Sequence, residues 1–128
     1  MKFKIILLLF VLSAMLISCG GIRQANGVLE GQVSIGPIVP VEPTTPVPTP
    51  PEVYAARKVL VYDRYHSKLI ETASLDDNGY YRIELAPGLY VVDINHVGID
   101  RSSEVPKTIE TEPGITVVRN ISIDTGLR

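Results

Sequence analysis

The chain has 128 residues, of which 12 are Lys or Arg and 14 are Asp or Glu, and its formal net charge is −2. This length sets a ceiling of one domain with its own hydrophobic core. The mildly acidic balance argues against nucleic acid or an anionic membrane surface as a partner. The single cysteine, Cys19, excludes an intramolecular disulfide and a zinc site made of several thiolates.

Residues 1–18 have the layout of an export signal. Lys2 and Lys4 precede an apolar run from Ile5 to Ile17, and small residues follow around Cys19. A run of about 13 residues at 1.5 Å per residue spans roughly 20 Å, whereas the hydrocarbon core of a bilayer is roughly 30 Å thick. The pattern therefore predicts a signal peptide and not a transmembrane helix.

The end of this segment, Leu16-Ile17-Ser18-Cys19, resembles the lipobox of bacterial lipoproteins. The resemblance implies that the signal is cut before Cys19 after that thiol has been joined to diacylglycerol. The mature chain would then begin at Cys19, and the lipid would hold it to a membrane. The alternative is an ordinary signal in which Cys19 falls near the cut by chance. By the same resemblance, Gly20 implies sorting to the outer membrane if the cell has two membranes.

After the signal, a tether and a first strand are predicted. Residues 19–27 are short, polar and glycine-bearing, which is typical of a flexible tether. The predicted domain covers residues 28–128. In the stretch Gly27–Gly36, apolar and polar residues alternate, so that one face is buried and the other is wet. The apolar side carries Leu29, Gly31, Val33 and Ile35.

A proline-rich loop at residues 37–53 follows the first strand. Seven of the chain's ten prolines lie between Pro37 and Pro51. Because proline has no backbone N–H, it cannot sustain a sheet or a helix, so this segment is predicted to be extended and to run along the surface. A partner-docking strip and a stiff spacer are the two interpretations of this composition.

The rest of the chain carries strand signals at short intervals, separated by polar or glycine-bearing turns. No helical period of useful length is present. With the first strand, these signals predict an all-β fold, a six- to seven-stranded antiparallel Greek-key sandwich. The predicted strands are Lys58–Asp63, Lys68–Ser74, Tyr80–Leu85, Leu89–Ile94, Ile115–Ile123 and a short one near Lys107–Glu110.

The acidic stretch Asp76-Asp77-Asn78-Gly79 between two predicted strands is interpreted as a turn. Asn-Gly favours a type I′ hairpin turn, in which both central residues have positive φ, and the two acids fit the turn entry. A calcium loop would need oxygen ligands at alternate positions and a later bidentate Glu, which the following Gly79 and tyrosines do not supply. No metal site is therefore predicted, although a weak ion at the turn tip stays open. Pro87-Gly88 and Pro113-Gly114 each predict a type II turn.

These motifs together resemble a known family. Gly31 within its strand, the stretch Leu75–Tyr81 and the stretch Leu85–Val92 resemble the carboxypeptidase regulatory-like, transthyretin-like (prealbumin-like) β-sandwich modules of bacterial surface proteins. The match covers about residues 28–123 and rests on turns, which specify a fold better than a function. Ser74-Leu75 and the proline-rich insertion depart from the family pattern. The resemblance implies a non-catalytic module for display, folding or adhesion.

Enzymatic interpretations were weighed on two sets of residues. Asp93, His96, Asp100, Ser102 and Ser103 supply the residue types of a hydrolase triad. Neither serine lies in a nucleophile turn motif, so a solvated polar loop is the favoured interpretation and no catalytic residue or cofactor is predicted. Lys58 and Asn120 were considered as an isopeptide pair of the kind found in pilin-type domains, and were not favoured because the first strand has no lysine.

The candidate ligand contacts are tyrosines. If Tyr81, Ile83 and Leu85 face the core, then Tyr80 faces solvent and could stack on a sugar or a peptide, as could Tyr62 and Tyr65 on a neighbouring strand and turn. Tyr90, Val92 and Ile94 are predicted to face the same core from the next strand.

The sequence thus predicts a lipid-anchored, non-enzymatic β-sandwich module of the bacterial cell envelope with a structural or interaction role. Its predicted partners are the membrane, through the lipid on Cys19, and an envelope protein or glycan. A carbohydrate- or peptide-binding module is the alternative, and a small hydrolase is a distant third.

Overall fold

The computed structural model describes residues 24–39 and 48–127. The predicted signal segment 1–18, Cys19, most of the predicted tether and residues 40–47 lie outside these ranges. Among the described residues, no helix is both long and apolar enough to cross a membrane.

The described residues form eight strands and one short helix. The helix, α1, spans Pro51–Ala55. The strands are β1 (Gly27–Gly36), β2 (Lys58–Asp63), β3 (Leu69–Ser74), β4 (Tyr80–Leu85), β5 (Gly88–Ile94), β6 (Lys107–Thr111), β7 (Thr116–Val118) and β8 (Ile121–Asp124).

The strands form two packed sheets, which confirms the predicted all-β sandwich. In the first sheet, β1 lies between β4 on one side and β7 and β8, end to end, on the other. The second sheet has the order β3-β2-β5-β6 and is antiparallel throughout. The chain crosses between the sheets after β1, β3, β4 and β6, so β3 and β4 are consecutive in sequence but not paired.

The last predicted strand, Ile115–Ile123, is split in two, and this is why the fold has eight strands and not six or seven. Both parts run parallel to β1. The first sheet is therefore mixed, whereas an antiparallel sheet was predicted. The register against β1 is the same on both sides of the break. Arg119 N–H donates to Glu30 O at 2.8 Å, and Asn120 Oδ1 accepts the N–H of Gln32 at 3.0 Å in place of a backbone carbonyl. A side chain therefore satisfies the strand where the ladder is interrupted.

The end of the proline-rich loop is also not as predicted, because α1 begins at Pro51. Proline is well tolerated at the first position of a helix, where its missing N–H would have no intrahelical partner. Val53 and Tyr54 of α1 pack against the core. The helix is only five residues long, too short to produce a recognisable 3.6-residue period.

The core lies between the two sheets and follows the alternation read from the sequence. In β4 the residues Tyr81, Ile83 and Leu85 are buried while Tyr80, Arg82 and Glu84 are exposed, as predicted. Burying one large aliphatic side chain stabilises the fold by about 1.5 to 3 kcal/mol. The most deeply buried side chains are Leu29, Val33, Val59, Val61, Val92, Ile94 and Ile123.

Candidate functional site

The acidic stretch between β3 and β4 forms a turn held by its own carboxylate. Asp76 Oδ1 accepts the N–H groups of Asn78 and Tyr80, each at 2.9 Å. The backbone adds Gly79 N–H to Asp76 O and Asp76 N–H to Tyr80 O, both at 3.0 Å. Gly79 has φ 84°, and His66 is the only described non-glycine residue with positive φ. The turn is therefore a type I turn followed by a left-handed glycine, and not the type I′ turn expected.

This turn does not close a hairpin, since β3 and β4 belong to different sheets. It carries the chain from one sheet to the other and docks on β1, where Gly79 O accepts the N–H of Val33 at 2.8 Å. A Cβ at Gly79 would also lie 2.3 Å from the carbonyl oxygen of Val33. The glycine is thus required by close backbone approach as well as by its φ.

The other two predicted turns differ from each other. Gly88 has φ 155° and its N–H donates to Thr111 Oγ1 at 3.1 Å. A type II turn needs φ near +80° there, so Pro87-Gly88 forms a bend into β5 and not the expected type II turn. Gly114 has φ 70°, and Ile115 N–H donates to Glu112 O at 3.2 Å, which closes a four-residue turn over Pro113-Gly114.

The residues of the hydrolase hypothesis lie near one another without forming a triad. Both ring nitrogens of His96 face oxygens, with Nδ1 3.0 Å from Asp100 O and Nε2 3.6 Å from Asp93 Oδ1. Ser102 Oγ donates instead to Glu104 Oε2 at 3.1 Å. The imidazole that would serve as a base is therefore directed at a carboxylate and a carbonyl.

Asp93 lies between two histidines that the sequence analysis did not connect. His66 Nε2 is 3.3 Å from its Oδ2, and His96 Nε2 faces its Oδ1. The side chain of His66 also makes an edge-on contact with the ring of Tyr62 at 4.6 Å between centroids. The two imidazoles approach different oxygens of the carboxylate, so both lie beside Asp93 at once. Within the part of the chain that the structure describes, no group of three or more His, Cys, Asp or Glu is placed to hold a metal ion.

A buried ion pair between Arg57 and Asp100 was missed altogether. Arg57 Nε lies 2.8 Å from Asp100 Oδ2 and its Nη2 lies 3.2 Å from Oδ1, so the pair is bidentate. Arg57 Nη1 also donates to Val53 O in α1 at 2.9 Å. The pair ties the end of α1 to the loop after β5. No local pattern distinguishes these two residues from exposed charged residues, so the sequence offers no signal for them.

The three candidate tyrosines do not form one surface. Tyr80 projects from the outer face of the first sheet and is 52% exposed. Tyr62 belongs to β2 in the second sheet, and Tyr65 lies in the turn after β2. An open groove of about 720 Å³ runs beside Tyr80 and is lined in part by Glu30, Asp76 and Arg82. Its aromatic, acidic and basic groups suit contacts to a polar ligand.

The outer face of β4 carries an exposed ion pair. Arg82 and Glu84 project side by side from the outer face, with Arg82 Nη1 3.2 Å from Glu84 Oε1 and both side chains 57% exposed. Only β1 pairs with β4 among the described strands. The opposite edge of this sheet is capped over β8, where Glu104 Oε2 accepts Ser122 N–H at 2.6 Å and Arg101 exchanges backbone hydrogen bonds with Asp124.

The lysine and asparagine weighed as an isopeptide pair are separated by the fold. Lys58 begins β2 in the second sheet and is exposed. Asn120 lies in the first sheet, at the break between β7 and β8, and bonds to Gln32. The pairing is therefore not supported by the arrangement of the strands.

Comparisons with known proteins show the fold. No protein-family model matches the chain, and no similar curated protein sequence was found. Among solved structures, the minor pilin GBS52 of Streptococcus agalactiae matches 79% of this chain and 45% of its own, with a TM-score of 0.53 and 15% identity. A DUF3823 family protein from Parabacteroides merdae matches 79% of this chain and 47% of its own, with a TM-score of 0.47 and 13% identity. The chain thus spans less than half of either protein, and its likeness to the pilin is a likeness of β-sandwich fold.

Proposed function

We propose that the chain is a non-enzymatic β-sandwich module held at the bacterial cell envelope by a lipid on Cys19, with a structural or interaction role. The observation that carries the proposal is the stretch Leu16-Ile17-Ser18-Cys19, which follows an apolar run too short to span a bilayer. Cys19 is the only thiol in the chain, so it has no disulfide or metal-binding role to compete with acylation.

The fold supports placement at the cell surface. The sandwich is similar in fold to a minor pilin of a gram-positive pathogen. Gly20 after the cysteine favours the outer membrane in a cell that has two membranes.

With the chain anchored at Cys19, the direction of β1 indicates which end of the sandwich faces the membrane. The tether enters β1 at Gly27, beside the turn that includes Gly114, whose N–H donates to Asn26 O at 3.1 Å. Seven residues lie between Cys19 and Gly27, and the eight Cα-to-Cα steps that join the two reach at most about 28 Å. The end that carries α1 and the loop containing Asp100 therefore faces away from the membrane.

A non-enzymatic role is supported by how the reactive side chains are engaged. Both nitrogens of His96 face oxygens of Asp93 and Asp100, and the hydroxyl of Ser102 is bonded to Glu104. A nucleophile and a base must share a hydrogen bond in or near a substrate cavity, and these groups do not.

Substitution of Cys19 tests the anchor. Cys19→Ala should abolish metabolic labelling by fatty acid and should leave the precursor uncut by the lipoprotein signal peptidase. Ser18→Ala, which keeps a small residue at the cut, is the control and should be labelled and processed normally. Normal maturation and membrane partition of Cys19→Ala would show that the proposal is wrong.

A carbohydrate- or peptide-binding role is the second candidate, favoured by the groove beside Tyr80. Capture of envelope material by the full chain tests it. Tyr80→Ala should reduce the amount of glycan or peptide recovered several-fold, whereas Tyr65→Ala, at a tyrosine outside the groove, should not. Equal recovery by both variants would contradict this candidate.

A further inference from the structure

Alternate residues of β4 direct their backbone N–H and C=O groups away from β1, toward the outer edge of the sheet. In the pairing with β1, Val33 N–H donates to Gly79 O, and successive hydrogen-bonded pairs of an antiparallel ladder are two residues apart. The residues of β4 that bond to β1 are therefore Tyr81, Ile83 and Leu85. Those whose N–H and C=O point away from β1 are Tyr80, Arg82 and Glu84.

Local structure closes this edge at both ends. Asp76 occupies the position beside Tyr80, accepting its N–H on Oδ1 and donating its own N–H to Tyr80 O. At the other end the chain leaves the sheet after Leu85, and Ala86 O is bonded by the hydroxyl groups of Tyr90 and Thr111. The open stretch thus runs from Tyr81 to Leu85, and its midpoint is Ile83.

This open stretch is complementary to itself. If a second copy of β4 is laid antiparallel with the twofold axis through Ile83, Arg82 lies opposite Glu84 of the other copy and Glu84 lies opposite its Arg82. Directly opposite residues in a sheet project from the same face. Arg82 and Glu84 both project from the outer face of β4, so they meet this requirement. A twofold interface pairs the same patch on both subunits, which is what this register requires.

We propose that the edge of β4 is a self-association surface, through which two copies of this chain join their first sheets into one continuous sheet. The two outward residues of each copy then form two hydrogen-bonded pairs, which contribute four backbone hydrogen bonds. Two opposite-charge pairs, Arg82 with Glu84 in each direction, flank the twofold axis. They extend the ion pair that already exists within each copy at 3.2 Å.

Charge specifies a second copy over an arbitrary peptide strand. Opposite charges across a strand pair stabilise it and like charges destabilise it, so a strand that reads Arg-apolar-Glu from N to C selects an antiparallel partner with that same N-to-C sequence. The chain itself supplies that partner in this register. The contact is small, and chains tethered to one membrane would meet at a high effective concentration.

Charge reversal tests the proposal on the full chain, with mass followed by sedimentation equilibrium in a density-matched detergent. The wild-type chain should show a concentration-dependent doubling of mass. Arg82→Glu alone and Glu84→Arg alone should each lose the dimer, because like charges then face each other. The double variant Arg82→Glu with Glu84→Arg should regain it, because the exchanged pair is again complementary.

Mixing the two single variants gives a more specific test of the charge pairing. Arg82→Glu carries two acids on the edge and Glu84→Arg carries two bases, so an equimolar mixture should form a heterodimer that neither forms alone. Glu110→Arg, an exposed charge reversal on β6 in the other sheet, is the control and should leave the dimer unchanged. A wild-type chain that stays monomeric at all concentrations, or a dimer that survives both single reversals with unchanged melting temperature, would overturn the proposal.

Discussion

Gly31 is the residue on which the junction of β1, β7 and β8 depends. A Cβ built there would lie 1.9 Å from the carbonyl oxygen of Arg119, which is backbone and cannot move aside alone. The carbonyl of Arg119 therefore occupies the space that a side chain at Gly31 would need. The sequence showed Gly31 on the apolar face of the strand but gave no reason for it, since the carbonyl that fills the space is 88 residues away.

Gly31→Ala should accordingly destabilise the fold by about 3 kcal/mol or more, because overpacking against backbone costs at the upper end of the usual range. Gly36→Ala is the matched control in the same strand, since a Cβ there meets no atom within 4 Å. Free energies of unfolding from urea titration measure both changes. Equal small effects at the two positions would show that the backbone at Arg119 can relax away from β1.

Ionisation of Tyr81, which lies at this same junction, makes the stability of the fold depend on pH. Its hydroxyl donates to Arg119 O at 2.6 Å, and burial raises the pKa of Tyr81 to about 12 from 10.0, with the positive charge of Arg119 acting in the opposite direction. Because folding raises the pKa of Tyr81, the contribution of its neutral hydroxyl to stability is fully present below the pKa that Tyr81 has in the unfolded chain. It is lost as the pH rises through the window from 10 to about 12.

A pKa difference of this size corresponds to a loss of about 2 to 3 kcal/mol across that window. The wild-type free energy of unfolding should therefore fall more steeply above pH 10 than that of Tyr81→Phe. Tyr81→Phe should itself be less stable at pH 7 by about 1 kcal/mol, since it removes one hydrogen bond. Every other ionisable group is the same in both proteins, so the difference between the two curves isolates Tyr81. Parallel curves would refute the assignment.

Among the elements, α1 is held to the sandwich by the buried pair of Arg57 and Asp100. Both residues are less than a tenth exposed, and Arg57 also bonds to Val53 O within the helix. Removing one partner of a buried pair leaves a charge without compensation, whereas replacing both with apolar residues is often much less costly.

Asp100→Ala should therefore cost about 3 to 5 kcal/mol of unfolding free energy. Arg82→Ala, which breaks the exposed pair with Glu84, should cost less than about 1 kcal/mol in dilute solution. The double variant Arg57→Met with Asp100→Leu should be more stable than Asp100→Ala. Thermal or urea unfolding of the four proteins decides the matter, and a double variant no better than the single one would contradict the role given to the pair.

Comparison of the predicted and observed strands shows where the local sequence pattern is sufficient to locate a strand. β2 and β4 have the predicted bounds, since a period of two over six residues is legible wherever one face is buried and the other is wet. β7 and β8 were read as one strand because Arg119 and Asn120 interrupt hydrogen bonding without interrupting the run of strand-forming residues. α1 was missed because a single turn of helix has no period to detect.

At the scale of the whole molecule, the connection between β1 and α1 is anchored at both ends. Thr125 donates its N–H to Gly36 O at 3.1 Å and its hydroxyl to Pro37 O. At the other end Val53 and Tyr54 pack against the core. The sequence-based expectation that the whole segment Pro37–Pro51 lies outside the fold therefore applies at most to residues between these two attachments.

Replacement of residues 40–47 by a Gly/Asn linker should change the free energy of unfolding by less than about 1 kcal/mol, because loop-closure entropy varies slowly with length. Tyr54→Ala is the comparison within the attached part, and it should cost about 1 to 3 kcal/mol through lost burial. Urea titration measures both. A linker variant that does not fold would assign a structural role to residues 40–47.

The sequence by itself determined the all-β class, most strand positions and the alternation of buried and exposed residues, because these depend on neighbours a few positions apart. It also carried the whole case for the anchor at Cys19, which lies outside the described residues. Only the tertiary structure decided which strands pair, that β7 and β8 run parallel to β1, that Asp100 is buried against Arg57, and that β1 is the only described strand that pairs with β4. Those properties depend on pairings between distant parts of the chain, and a local pattern contains no information about which distant strand will satisfy a given backbone edge.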